Sequence, residues 1–253
     1  MKIRPGIELA SLTDVGCQRE NNEDNYSYWE PESDEQFAQK GRLAIVADGM
    51  GGHEGGQEAS RIAVDTVQQT YASGPGADAQ ALLVNAFHAA HRNIQEYAFR
   101  RPELSGMGTT CTAISLRQHQ LYFAHVGDSR LYLLRGPVLS RLTHDHSYVG
   151  RLVETGVIRS EEAEFHPQRH ILTSALGAGL EISLDSPQLP VALQKNDILV
   201  LCSDGMWGLV NDREIQETLA LRPLEKACRT LVDLARQHGG PDNITVQLIE
   251  ITQ

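Results

Sequence analysis

Four aspartates stand beside apolar, strand-like runs at widely separated points of the chain, and their shared setting suggests one chemistry. Asp48 follows LAIVA (43–47), Asp128 follows LYFAHVG (121–127), Asp204 follows ILVLCS (198–203), and Asp242 comes just before ITVQLIE (244–250). An Asp-Gly step after an apolar run is by itself an ordinary turn signal, since both residues tolerate the angles of a tight reversal. Four such placements favour a common purpose. Ligation by carboxylate, backbone carbonyl and water suits hard cations, Mg²⁺ or Mn²⁺, and is the wrong donor set for the usual nitrogen and sulfur sites of Zn²⁺. Gly49 belongs to the same set, because a residue without a Cβ lets its carbonyl approach an ion closely. The twelve-residue calcium loop D-x-[DN]-x-[DN]-G is absent from the sequence.

A second element lies upstream, where DVGCQRENNED (14–24) sets Arg19 among carboxylates and amides in an expected loop. Two readings are open: a surface arginine in a local ion-pair cluster, or a planar fork that grips a phosphoryl group. Asp24, at the end of this stretch, is a further catalytic candidate. Magnitudes bear on the choice of mechanism. Phosphate monoesters hydrolyse so slowly that enzymes supply up to about 10²¹-fold, roughly 28 kcal/mol, whereas general acid-base catalysis contributes only about 10²- to 10⁴-fold. A two-metal centre does more, because it activates water, orients it in line with phosphorus and neutralises developing charge.

These residues need a scaffold. Alternation marks strands at 7–12 and 25–29, followed by the buried run at 43–47. Helical spacing at 54–72 gathers Ala59, Ile62, Ala63, Thr66 and Val67 on one face, and 78–99 does the same with Leu82, Leu83, Ala86, Phe87, Ala90 and Ile94. A β meander is expected over 109–142. The stretch 143–179, rich in His, Glu and Arg, reads as an excursion or lid with one short helical pattern at Tyr148, Leu152 and Val153. A strand at 197–202, helices near 211–219 and 224–238, and a strand at 244–251 follow. Strands, a helix pair, strands, then a helix pair and a strand argue for an α+β fold with mostly antiparallel sheets, and against an alternating parallel one.

The 253 residues carry no linker-like or low-complexity tract, so one domain over 1–253 is expected. A formal charge of −11 opposes binding to nucleic acid or anionic membrane, which require clustered Lys and Arg. Cys17, Cys111, Cys202 and Cys228 form no C-x-x-C pair, no apolar run reaches membrane-span length, and no signal-peptide pattern opens the sequence. A reduced, cytoplasmic setting is expected.

Taken in order, RENNED (19–24), ADGMGGH (47–53), GTT (108–110), VGDSRLY (126–132), THDHS (143–147), SDGMW (203–207) and PDNIT (241–245) resemble the successive signatures of the metal-dependent protein phosphatases, the type 2C serine/threonine phosphatases, in their bacterial form. The resemblance covers about residues 7–250. It implies a four-layer αββα sandwich of two antiparallel sheets flanked by helix pairs. It also implies hydrolysis of phosphoserine or phosphothreonine by a water or hydroxide bridging two Mg²⁺ or Mn²⁺ ions. By the same resemblance, Asp48 bridges the ions, Gly49 offers its carbonyl, Asp204 and Asp242 complete the first site, Glu23 acts through water, and Arg19 clamps phosphate. Asp128, with Asp204, corresponds to a third, weaker metal site, and 145–175 to a flap near substrate. The implied partners are phosphoproteins, the substrates of a bacterial Ser/Thr kinase and that kinase itself, met by a monomer.

Two positions depart from the pattern. Met50 stands where the eukaryotic branch has the histidine proposed to protonate the leaving group, with His53 three residues on, and Gly208 stands where some members have another acidic third-site ligand. Other signals are weaker. CTAISLR (111–117) spells C-x₅-R but alternates like a strand, Ser129 and Ser203 lack a G-x-S-x-G elbow, and His144, His146, His166 and His170 lack fixed ligand spacing. The alternative from another class is a catalytically silent phosphatase-like module that binds phosphoproteins, and a small phosphoester is the alternative substrate.

Overall fold

The computed structural model describes residues 3–51, 54–76, 78–163, 166–179 and 181–253. Its strands form two sheets in which every ladder is antiparallel. The first contains β1 (Ile7–Asp14), β11 (Ile244–Ile251), β10 (Ile198–Cys202), β7 (Arg130–Arg135) and β8 (Val138–Arg141), in that order. The second runs β2 (Asp24–Trp29), β3 (Arg42–Met50), β5 (Cys111–Arg117), β6 (Gln120–Val126) and β9 (Val191–Ala192), with β4 (Gly108–Thr109) paired to the end of β3.

The unbroken apolar runs follow from burial on both faces of a strand, where successive side chains point to opposite sides. In β3, Ala44 and Val46 join the layer between the sheets with Ile114, Phe123, Leu131, Leu199, Leu201 and Ile249. Leu43, Ile45 and Ala47 point outward and meet α2 (Glu54–Ser73) and α3 (Ala79–Phe99) through Ala59, Ala63, Val67, Leu83 and Phe87. The outer face of the first sheet is covered in the same way: Ile198, Val200 and Val246 pack against α7 (Asp212–Thr218) and α8 (Leu224–Gln237). On α8 the buried positions Leu224, Ala227, Cys228, Leu231, Val232 and Ala235 trace one helical stripe. The layers are helix, sheet, sheet, helix.

The expected meander over 109–142 is divided between the sheets. Residues up to Val126 belong to the second sheet and those from Arg130 onward to the first, with the change made at Gly127, whose φ of +107° favours glycine. Several elements lack a sequence signature. α1 (Asp34–Lys40) is short and polar, held by a Ser33 cap. α5 (Ser160–Ala163) is one turn long, and Asp204 opens a one-turn helix, α6 (Asp204–Trp207), rather than ending β10. The expected excursion is present, with α4 (Tyr148–Glu154) at its start. No helix among the described residues is long and apolar enough to cross a membrane.

Candidate metal centre

Register brings two acids face to face. Asp24 at the start of β2 pairs directly with Asp48 on β3, and like charges so placed destabilise a ladder. The next sheet contributes Asp204 from the N-terminus of α6 and Asp128 from the turn between β6 and β7. Asp242 precedes β11 and exerts its charge on Asp24, Asp48 and Asp204. Asp24 and Asp128 are buried, while Asp48, Asp204 and Asp242 keep partial access to solvent.

The electrostatics are those of acids crowded without enough countercharge. Burial, and then the charges of Asp204 and Asp242, push Asp24 up to about 7 against the hydrogen bonds of Thr245 and Ser203. Burial also lifts Asp48 well above the ordinary carboxylate range, and Asp24, Asp204, Asp128 and Asp242 add to it. Asp128 is raised by burial, Asp204 and Asp145. Asp204 is raised by burial and Asp242, against a hydrogen bond shared with Asp48.

This donor set fits hard divalent cations. All its groups are oxygens, and among the described residues Asp24 Oδ1 and Asp204 Oδ1 are buried without a hydrogen-bond partner, a costly state that an ion relieves. Among the described residues, no group of three His, Cys, Asp or Glu side chains forms a ready-made cage. The acids are instead linked by their charges.

Arg19, in the loop after β1, donates from Nη2 to Asp242 Oδ2 at 2.8 Å with about half of its side chain exposed. That hydrogen bond, then the charges of Asp242, Glu23 and Asp48, outweigh partial burial and hold the guanidinium above its usual value. Its loop is organised by Asn243. The Asn243 amide donates to the carbonyls of Val15 at 3.0 Å and Asn21 at 2.9 Å, and its Oδ1 accepts from the Glu23 N–H at 2.8 Å. Glu23 is buried, with its carbonyl accepting from the Gly49 N–H at 3.2 Å.

The sequence profile of the protein phosphatase 2C family matches residues 19–238. The serine/threonine phosphatase stp of Listeria monocytogenes is 39% identical over 94% of this chain and 93% of its own. The chain belongs to the protein phosphatase 2C family. Among solved structures, the Mycobacterium tuberculosis serine/threonine phosphatase PstP/Ppp superposes with a TM-score of 0.85 at 36% identity, covering 98% of this chain and 100% of that one. The catalytic domain of PstP in complex with two manganese ions gives a TM-score of 0.82 at 34% identity, covering 98% of this chain and 99% of that one.

In this phosphatase 2C chain the reason for a glycine at 49 is steric. A Cβ there would overlap the Gly56 carbonyl at the start of α2, so the close approach is to backbone. Met50 occupies the last position of β3, Gly208 follows α6 as its C-terminal cap, and His53 lies outside the described residues. Ser203 is buried and donates to Asp24 Oδ2 at 2.7 Å while accepting from the Thr245 N–H at 3.0 Å. Cys111 is sealed within β5, where burial pushes its thiol far up. Ser203 and Trp207 lie in SDGMW (203–207) and Asn243 in PDNIT (241–245), but spacing alone does not give their orientation.

Proposed function

We infer that this chain is a metal-dependent serine/threonine protein phosphatase. What supports the reading is that Asp24 pairs with Asp48 across the ladder, that Asp128, Asp204 and Asp242 exert their charges on this pair or on one another, and that Arg19 is bonded to Asp242, in a member of this family. Asp48, Asp204, Asp242 and the Gly49 carbonyl would hold two Mn²⁺ or Mg²⁺ ions, with Glu23 acting through water and Asp128 serving a third, as the manganese complex of the PstP catalytic domain supports. When bound, such ions supply an activated water at neutral pH and offset the charge that develops on phosphorus and on the leaving oxygen.

The protein's own groups do the rest. Arg19 reaches solvent on one side of the rim, where its fork orients two phosphoryl oxygens. Asn243 fixes the loop that carries it, and Ser203 fixes Asp24. The substrates are phosphoproteins. We place the enzyme in the cytoplasm as a monomer with one catalytic unit over 1–253, opposing a bacterial Ser/Thr kinase and acting on the kinase as well.

The deciding experiment measures phosphate release from phosphoserine and phosphothreonine peptides and from an aryl phosphate, with Mn²⁺, with Mg²⁺ and after chelation. Turnover that needs the metal and is restored by its return is expected. Undiminished turnover in stripped protein would overturn the reading, and a metal-dependent enzyme that ignores every phosphopeptide would move the substrate to a small phosphoester.

A further inference from the structure

The acidic rim and the flap share a root. Residues 143–147 pass beside the Gly127–Asp128 turn before Ser147 caps α4. His146 holds that turn from two sides: its N–H donates to the Gly127 carbonyl at 2.7 Å, and its Nδ1 accepts from the Gly127 N–H at 3.2 Å. The same short segment grips the far end of the flap, since the Thr173 N–H donates to the His146 carbonyl at 2.7 Å and the Tyr148 N–H to the Ile171 carbonyl at 2.8 Å.

A side-chain circuit fastens this root to the rim. Arg130 forks onto Asp145, with Nε to Oδ1 at 3.0 Å and Nη2 to Oδ2 at 2.7 Å, and Arg141 adds a bond of 3.1 Å. The Arg130 guanidinium lies flat enough on Trp207 to put its central carbon 3.3 Å from the ring centroid. Trp207 ends α6, the helix that Asp204 begins, and its indole N–H donates to the Asp128 carbonyl at 2.9 Å. Burial opposes ionisation of Asp145, but Arg130 outweighs it and keeps the carboxyl below the ordinary range. A forked, mostly desolvated ion pair stacked on an indole is a stiff joint, and lysine can reproduce neither the fork nor the stack.

We propose that Trp207, Arg130 and Asp145 are positioning residues that hold the backbone of Asp128, and through it the placement of its carboxylate, and tie it to the root of the flap. They set how tightly Asp128 holds a divalent ion without touching ion or substrate themselves. The proposal rests on the phosphatase reading only for its consequence in turnover. Its core is a statement about Mn²⁺ binding.

The test is a titration of the full chain with Mn²⁺, followed by the electron paramagnetic resonance signal of free Mn²⁺. The unaltered protein is compared with Asp128→Asn, Trp207→Phe, Asp145→Asn and Arg130→Lys, each also melted thermally. The unaltered protein should show a tight class of ions and a weaker class that Asp128→Asn removes. Trp207→Phe keeps an aromatic ring but loses the N–H, and it should weaken the second class on the order of tenfold, the usual size of an effect from a partner behind a ligand. Asp145→Asn and Arg130→Lys should follow it, with the tight class and the melting midpoint of Trp207→Phe preserved. Three outcomes overturn the proposal: a weaker class unchanged in these variants, both classes loosened equally, or no class that depends on Asp128. Absence of metal-dependent turnover in the unaltered protein would instead sink the enzymatic reading and leave the binding comparison legible.

Discussion

Asp48 follows five strand residues that are essentially sealed from solvent, whereas the flap leaves Tyr148, Val157 and Ile171 at 39%, 67% and 49% exposure. The strand is pinned by ladders on both sides and by helices over its outer face. The flap is held by short helices and by solvent-exposed pairs such as Arg159–Glu162, which contribute little. One region holds mutually repelling acids, Asp24 opposite Asp48, on a sealed ladder, and that takes a core. The other exposes apolar side chains on short, lightly paired elements, where little burial opposes local movement. The acidic centre and the flap thus stand on scaffolds of different burial, joined at 143–147.

The sharpest way to break this contrast is Asp48→Asn. It should cost about 10³-fold or more in kcat on any phosphoester, yet leave the fold intact, because it removes one member of an opposed acidic pair. A melting midpoint that falls steeply would mean that the acid serves the scaffold instead. Arg19→Ala comes next: KM for phosphopeptides should rise roughly 10- to 100-fold with a smaller change in kcat, and Arg19→Lys should restore little. A kcat loss without a KM change would remove Arg19 from phosphate binding.

Stability against pH sharpens the same comparison. The folded-state value of Asp24 is raised to about 7, so its contribution is present at acid pH and lost as pH rises through about 7. Protein stripped of metal should lose on the order of a few kcal/mol between pH 5 and 8. Added Mn²⁺ should restore more stability at pH 8 than at pH 5, where protons compete for the same oxygens. Thermal melts at both pH values with and without Mn²⁺ check this, and equal shifts would contradict it. The smallest effect belongs to the flap: Val157→Ser with Ile171→Ser should change stability by less than about 0.5 kcal/mol. It should alter KM for phosphopeptides while leaving aryl phosphate turnover alone.

Much of this arrangement is legible in the sequence where one physical signal dominates. LAIVA (43–47) is apolar throughout because both faces of β3 are covered, and α8 shows its stripe because only one face is. The acids stand out because a charge beside a sealed strand requires a reason. Other features depend on partners remote in the chain. The change of sheet at Gly127 is a matter of backbone angle, and the requirement at Gly49 comes from the start of a helix that packs against it. Trp207 reads as one more apolar residue until its N–H is seen on the Asp128 carbonyl. α1 is invisible because a cap and a single Phe37 leave no periodic stripe.

Gly56 and Gly205 carry a consequence of their own. A methyl group on the first would overlap the Glu23 carboxylate, and on the second the Asn243 carbonyl. The spacing of the acids is therefore guarded by two hydrogens as much as by any charge. Alanine, the mildest of replacements, would jam the centre while leaving each of its oxygens chemically intact.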